Sequence, residues 1–216
     1  MHAGWATLRS LLAGSGGGWE SQVAINHLGH FALINLLAPA LRRDGSRVVM
    51  FSSAGHFASD TRWAGLNFER APYDRWLAYG QSKTANVLFA LELAKRGAGD
   101  GVRVFSLHPG VIMTPLQRHV SREEQIALGW MREDRTAAPG LRLKSVAQGA
   151  ATAAWAATAS LLADAGNGAY LEDVDIARMA DGFDMNVGGV QPWATDEGSA
   201  QRLWEITSDA TGVRGF

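Results

Sequence analysis

Tyr79-Gly80-Gln81-Ser82-Lys83 sets a phenol and an ammonium one helical turn apart, and Ser53 closes an apolar run, Val48-Val49-Met50-Phe51-Ser52, a loop upstream. A phenol with an ordinary pKa of about 10 trades a proton near neutrality only when a fixed cation favours its phenolate. Lys83 stands where such a cation would. The chain has three tyrosines, Tyr73, Tyr79 and Tyr170, and three lysines, Lys83, Lys95 and Lys144. So few of each would make an accidental Tyr-x-x-x-Lys a matter of roughly a few per cent. The same spacing also fits a solvated helix face, with the lysine tip in water and the ring over apolar surface.

Other chemistries fit less well. His27 and His30 lie at i,i+3 and His56 and His108 end or follow strands, but no carboxylate or cysteine joins them at a ligand spacing, so no metal site is expected. A nucleophile elbow would need Gly-x-Ser-x-Gly, whereas Phe51 stands two places before Ser53. The chain has no cysteine. That removes thiolate nucleophiles, disulfides and zinc-thiolate sites, and suits a reducing compartment, with cytoplasm the default.

With 216 residues, 47% of them apolar, a single domain is the expectation. A formal charge of -1 without a long Lys/Arg block indicates neither a nucleic-acid nor an anionic-membrane partner. The start, Met1-His2-Ala3-Gly4-Trp5, lacks the pattern of a signal peptide. Ser145 to Ala163 is uncharged but mostly Ala with Ser, Thr, Gln and Gly, and reads as a buried helix rather than a span. Arginine outnumbers lysine beside much Ala and Gly, which hints at a GC-rich bacterial source.

Elements must hold these residues in place. From Glu20 to Leu41 apolar residues recur at helical spacing, and Arg42-Arg43-Asp44-Gly45 stops the helix. Arg47 to Ser52 is a strand of the doubly buried kind. A loop rich in Gly, Asp and Asn covers Ala54 to Asp74, a helix runs from Trp76 to Arg96, and Val102 to Leu107 is a second buried strand closed by His108-Pro109-Gly110. Thr114 to Leu143 is more polar and reads as a mobile flap. Gly168 to Leu171 is a last strand, and a final helix starts at Thr195-Asp196-Glu197. Strand and helix in alternation predict an α/β, doubly wound parallel sheet.

In this order the pieces resemble the short-chain dehydrogenase/reductase superfamily, most closely its retinol-dehydrogenase-like and WW-domain-oxidoreductase-like branch. Five blocks carry the resemblance: Asn26-His27-Leu28-Gly29-His30-Phe31; Ser52-Ser53-Ala54-Gly55-His56; Tyr79 through Asn86; His108-Pro109-Gly110 through Thr114; and Gln191-Pro192-Trp193-Ala194-Thr195-Asp196. The resemblance implies a Rossmann-like fold and an NAD(P)-dependent oxidoreductase that interconverts a carbonyl and an alcohol on a fairly apolar substrate, NADP being favoured by the branch. It implies Tyr79 as general acid/base, Lys83 as the cation that lowers its pKa and bonds the nicotinamide ribose, Ser53 as holder of the substrate oxygen, and Asn26 as the holder of a water linking Lys83 to solvent. Tyr79, Lys83, Pro109, Gly110, Ile112 and Thr114 would contact the cofactor. Alternatively, Asn26 satisfies helix backbone groups, and Pro109-Gly110 is an ordinary strand-end turn.

The family normally begins with a strand and a Gly-rich turn that cradles the pyrophosphate. Gly14-Ser15-Gly16-Gly17-Gly18 has no apolar strand before it and reads as a loop, while His2-Ala3-Gly4 looks like the remnant of the family's Asn-Asn-Ala-Gly motif. The expectation is therefore one partial Rossmann-type domain, N-terminally truncated, spanning 1–216. It carries an alternative: a non-catalytic remnant acting at most as an oligomerisation or partner surface. A homo-oligomer is implied under either reading.

Overall fold

The computed structural model describes residues 11–12, 18–42, 45–163, 166–182, 184 and 187–216. The His2-Ala3-Gly4 block and most of the Gly-rich patch lie outside them. Strands β1 (Leu11–Leu12) and β2 (Trp19–Glu20) pair antiparallel. Glu20 then caps α1 (Ser21–Val23), its carboxylate accepting the Gln22 and Val23 amides. A π-helical turn, Ala24–Leu28, leads into α2 (Gly29–Leu36), and α3 (Ala38–Leu41) follows a bend at Leu37. The single helix read from the sequence is thus interrupted twice. Pro39, which has no N–H to give, enters at the start of α3 and accounts for the second break.

Strand β3 (Arg47–Phe51) is followed by α4 (Arg75–Gly97), capped by Asp74, and β4 (Arg103–His108). Next come α5 (Arg122–Ala127), α6 (Val146–Thr158), β5 (Tyr170–Glu172), β6 (Asp175–Ile176) and α7 (Glu197–Thr211). The sheet order is β3-β4-β5-β6, parallel except for the last pair. Alternation along the strands splits the core. Val48, Met50 and Val104 pack with Phe31, Phe89 and Trp204 under α2, α4 and α7, whereas Val49, Phe105 and Leu107 meet Ala153, Ala156 and Leu162 under α6. The result is three layers with a parallel-dominated sheet in the middle.

Helix α6 departs from the buried helix expected of it. Only Gly149, Thr152 and Ala156 are buried, and Val146 and, just beyond the helix, Leu161 are 72% and 79% exposed. Small side chains let one stripe approach the sheet closely, and an outer face of alanines leaves little apolar area to hide. None of the described helices is long and apolar enough to cross a membrane.

Two connections bear on the site. The polar segment 114–143 is pinned to the start of α4: Arg75 pairs with Glu124, Trp76 Nε1 donates to Glu124 Oε1 at 3.2 Å, and Trp76 meets Trp130 edge-on at 5.7 Å. Strands β5 and β6 are joined by a two-residue turn, Asp173-Val174, whose φ values are 53° and 62°. The Val174 amide donates to Thr152 Oγ1 of α6 at 3.1 Å.

Candidate active site

Where β3 ends, the chain turns under α4. Ser53, in extended backbone (φ -169°, ψ 158°), caps a 3-10 turn over Ala54–Ala58, its Oγ accepting the Gly55 amide at 3.0 Å. The Ser53 side chain is also the hydrogen-bond partner of the Tyr79 phenol, in the sense that favours its phenolate. Tyr79 is 7% exposed, and its ring lies on Gly55. Ser52 completes the join, its Oγ donating to the Lys83 carbonyl at 2.8 Å.

Burial sets the electrostatics. It raises Tyr79 above the ordinary phenol value, and the Ser53 hydrogen bond pulls only part of the way back. Lys83, half-buried with Nζ 5.5 Å from the Tyr79 ring centroid, is lowered by desolvation to about 8. Among the described residues its ammonium has no hydrogen-bond or ion-pair partner. Spacing led to the expectation of a phenol made more acidic by Lys83. In the chain as it stands, desolvation is the largest influence on the phenol and the Ser53 hydrogen bond opposes it.

Asn26 sits in the π turn, a feature common where a side chain must be re-aimed. Its Nδ2 donates to Ser82 Oγ at 3.0 Å, and Ser82 Oγ to the Tyr79 carbonyl at 2.8 Å, so its amide crosses to α4 instead of capping its own helix. Its carbonyl bonds His30 Nδ1 at 2.9 Å.

Pro109 and Gly110 follow β4. Gly110 has φ +90°, and a Cβ there would stand 2.5 Å from Lys144 Cδ, because the Lys144 stem crosses it to pair with Asp173. Ile112 turns toward α6, where its Cδ1 would lie 2.6 Å from a Cβ on Gly149. Thr114 is engaged in a capping box with Gln117. The structure therefore gathers Asn26, Ser53, Tyr79 and Lys83, links the end of β4 to them through His108, whose Nδ1 accepts the Ala54 amide at 3.1 Å, and turns Ile112 and Thr114 to other neighbours.

Sequence reasoning missed Tyr170, which it placed only as a strand residue. Its phenol is buried against His56, whose Nδ1 lies 3.5 Å from the hydroxyl, and desolvation together with the charges of Glu172 and Tyr79 raises it well above the ordinary value. It also missed Lys144, one of only three lysines and thus open to notice. No group of three or more metal-ligating side chains occurs among the described residues.

A family model described as "short chain dehydrogenase" matches residues 2–125. A Streptomyces antibioticus protein named "Probable oxidoreductase" is 45% identical over 194 residues, 89% of this chain and 64% of its own. Human "Retinol dehydrogenase 13" is 37% identical over 199 residues, 91% of this chain and 55% of its own. A crystal structure of an uncharacterized protein from Mycobacterium paratuberculosis superposes with a TM-score of 0.64 at 30% identity, covering 92% of this chain and 61% of that one. The chain thus spans less than two thirds of these relatives.

Proposed function

The chain belongs to the short-chain dehydrogenase/reductase superfamily, and on that premise we propose that it interconverts a carbonyl and an alcohol on a fairly apolar small molecule, with Tyr79 as general acid/base. What carries this reading is the Ser53–Tyr79 hydrogen bond beside the Lys83 ammonium, which lies 5.5 Å from the Tyr79 ring centroid and among the described residues has no hydrogen-bond or ion-pair partner. In the reducing direction Tyr79 gives its proton to the carbonyl oxygen as charge develops there, and in the oxidising direction it takes the hydroxyl proton back. Ser53 holds that oxygen with a donor that is already aimed. Lys83 steadies the phenolate left behind, and Asn26 fixes Ser82 and, through it, the Tyr79 carbonyl.

A nicotinamide dinucleotide, NADP by preference of the branch, supplies the hydride when bound. Residues for its nicotinamide and ribose end fit: Lys83 offers an unused donor next to Tyr79, and Pro109 and Gly110 lie at the same end of the sheet. Ile112 and Thr114, which the resemblance assigns to that contact, face Gly149 and Gln117 in this chain and would have to turn to reach it. Among the described residues no Gly-rich turn between strand and helix is present to cradle a pyrophosphate. Residues 1–216 form one catalytic and substrate-binding domain in this reading, and the segment 114–143 shapes the substrate pocket. Exposed Leu33, Leu36 and Leu37 on α2 and the bend after it support a homo-oligomer. Cytoplasm is the proposed location.

Two measurements test it. Titration of the eight tryptophans' energy transfer to NADPH and then NADH reports binding, and turnover of small aldehydes and ketones should vanish in Tyr79→Phe. A folded chain that binds neither nucleotide would leave the non-catalytic reading in place, and turnover retained by Tyr79→Phe would overturn the role of the phenol.

A further inference from the structure

One peptide group in the site is held at both ends by imidazoles. The Ser53 carbonyl bonds His56 Nδ1 at 2.7 Å, and the amide of the next residue, Ala54, donates to His108 Nδ1 at 3.1 Å. A carbonyl needs a donor and an amide needs an acceptor, so the two rings are opposite tautomers. His56 carries its proton on Nδ1 and His108 on Nε2. The second nitrogen of His56 agrees, since Nε2 accepts the Gln191 amide at 3.2 Å.

Both rings are locked and kept neutral. His56 is 0% exposed, packed edge-on against Phe57 at 4.7 Å and tilted against Tyr170 at 5.2 Å. Burial lowers both histidines to about 4, with Lys144 adding to the effect at His108 and Asp173 opposing it. The two rings are anchored differently: His108 ends β4, whereas His56 lies in the 3-10 turn that Ser53 caps, where its backbone amide also donates to the Ser53 carbonyl at 3.1 Å, and it is fastened to the segment before α7 through Gln191 and through its own carbonyl, which accepts from Trp193 Nε1 at 3.3 Å. The Ser53 side chain leaves from the peptide that these ties orient. A small rotation of that peptide would swing the hydroxyl off Tyr79.

We propose that His56 and His108 are positioning residues of the site, clamping the Ser53–Ala54 peptide from opposite sides so that the Ser53 hydroxyl stays aimed at Tyr79. The significance for catalysis rests on the reading of Ser53 and Tyr79 given above. The clamp itself is testable without turnover.

The experiment is NMR of the 216-residue chain with 13Cζ-tyrosine at neutral pH, each of the three resonances assigned by a Tyr→Phe variant, and circular dichroism as the fold check. Ser53→Ala defines the shift of Tyr79 13Cζ on loss of the donor. His56→Leu should reproduce that shift, and adding it to Ser53→Ala should change nothing further. His56→Asn, whose amide nitrogen replaces Nδ1, should stay near the wild type. His108→Asn, whose amide oxygen replaces the acceptor, should do the same, while His108→Leu shifts. A folded His56→Leu with the wild-type Tyr79 resonance overturns the proposal, as does a fully additive double variant.

Should the leucine variants fail to fold, His56→Gln, which reaches Gln191 but not Ser53, is compared with His56→Asn. A shift in the former alone supports the clamp, and equal spectra overturn it. In turnover assays His56→Leu should lower kcat about tenfold with KM little changed, a share of what an aimed donor contributes. A wild-type chain without turnover whose Tyr79 resonance still answers to His56 would overturn the oxidoreductase reading and support the clamp.

Discussion

The Tyr79 ring lies so close over Gly55 that a Cβ on Gly55 would stand 2.5 Å from Cε1 and 2.8 Å from Cδ1. Glycine is required here by contact and not by backbone conformation, since Gly55 is not among the residues with positive φ. Gly55→Ala should therefore push the ring off its seat. The expected result is a 10- to 100-fold loss of kcat, on the order of what a misplacement of about 1 Å costs, with the melting temperature changed by only a few degrees. Full activity in a folded variant would show that the ring has another stable seat.

The Lys83 ammonium is lowered to about 8 by desolvation, so the cation is lost as pH rises through that value. The basic limb of kcat/KM should begin near pH 8, and the Lys83 13Cε resonance should titrate there, not near 10.5. Stability follows the same difference with a definite sign. Between about 8 and 10.5 the unfolded chain binds more protons than the folded one, so Lys83 makes the fold more stable as pH rises across that window. A Lys83 titration at the ordinary lysine value would contradict the burial described.

Acid should act through the histidines. Burial holds His27, His56 and His108 at about 4, below the ordinary 6.5. Their contribution is complete above 6.5 and is lost as pH falls toward 4, because the unfolded chain takes up protons that the folded chain refuses. Each such histidine amounts to roughly 3 kcal/mol once the pH has passed both values. Urea midpoints measured from pH 7.5 to 4.5 should fall steeply below 6.5, and a flat profile over that range would refute the assignment.

Glu20 is fully buried, and its carboxylate accepts from the Gln22 amide at 3.0 Å, the Val23 amide at 2.8 Å and the Tyr73 hydroxyl at 3.1 Å. With the Ser21 hydroxyl, which also donates to it at 3.3 Å, Glu20→Ala leaves four donors without that acceptor and should cost about 2–4 kcal/mol in urea unfolding. Because α1 runs straight into the π turn, the same change should reduce turnover through Asn26. A loss of stability below about 0.5 kcal/mol would show that water replaces the carboxylate.

Much of this architecture was legible in the residues. Alternating helix and strand periods fixed the sheet, and the i,i+4 spacing of Tyr79 and Lys83 put both on one face of α4. What escaped depends on depth or on distant contacts. The sign of the Tyr79 shift follows from how far the ring is buried, which spacing does not encode. The π turn at Ala24–Leu28 inserts one residue into an apolar pattern that tolerates it, and what it achieves, the reach of Asn26 to Ser82, spans 56 positions. Tyr170 comes to His56 only through the β4–β5 pairing, 114 positions along the chain. Helix α6 was misjudged because its composition, rather than its period, was taken as the guide to burial.

The turn between β5 and β6 carries a consequence for the order of folding. Neither Asp173 nor Val174 is a glycine, and left-handed backbone at such residues costs roughly 1–2 kcal/mol each. Strands of three and two residues cannot offset that alone. The hairpin should therefore close late, after α6 has docked and Thr152 can receive the Val174 amide. Contacts made this late govern how fast the native chain comes apart and hardly touch how fast it assembles. The β5–β6 corner, which also fastens Lys144 over Gly110, is in this sense the latch of the molecule.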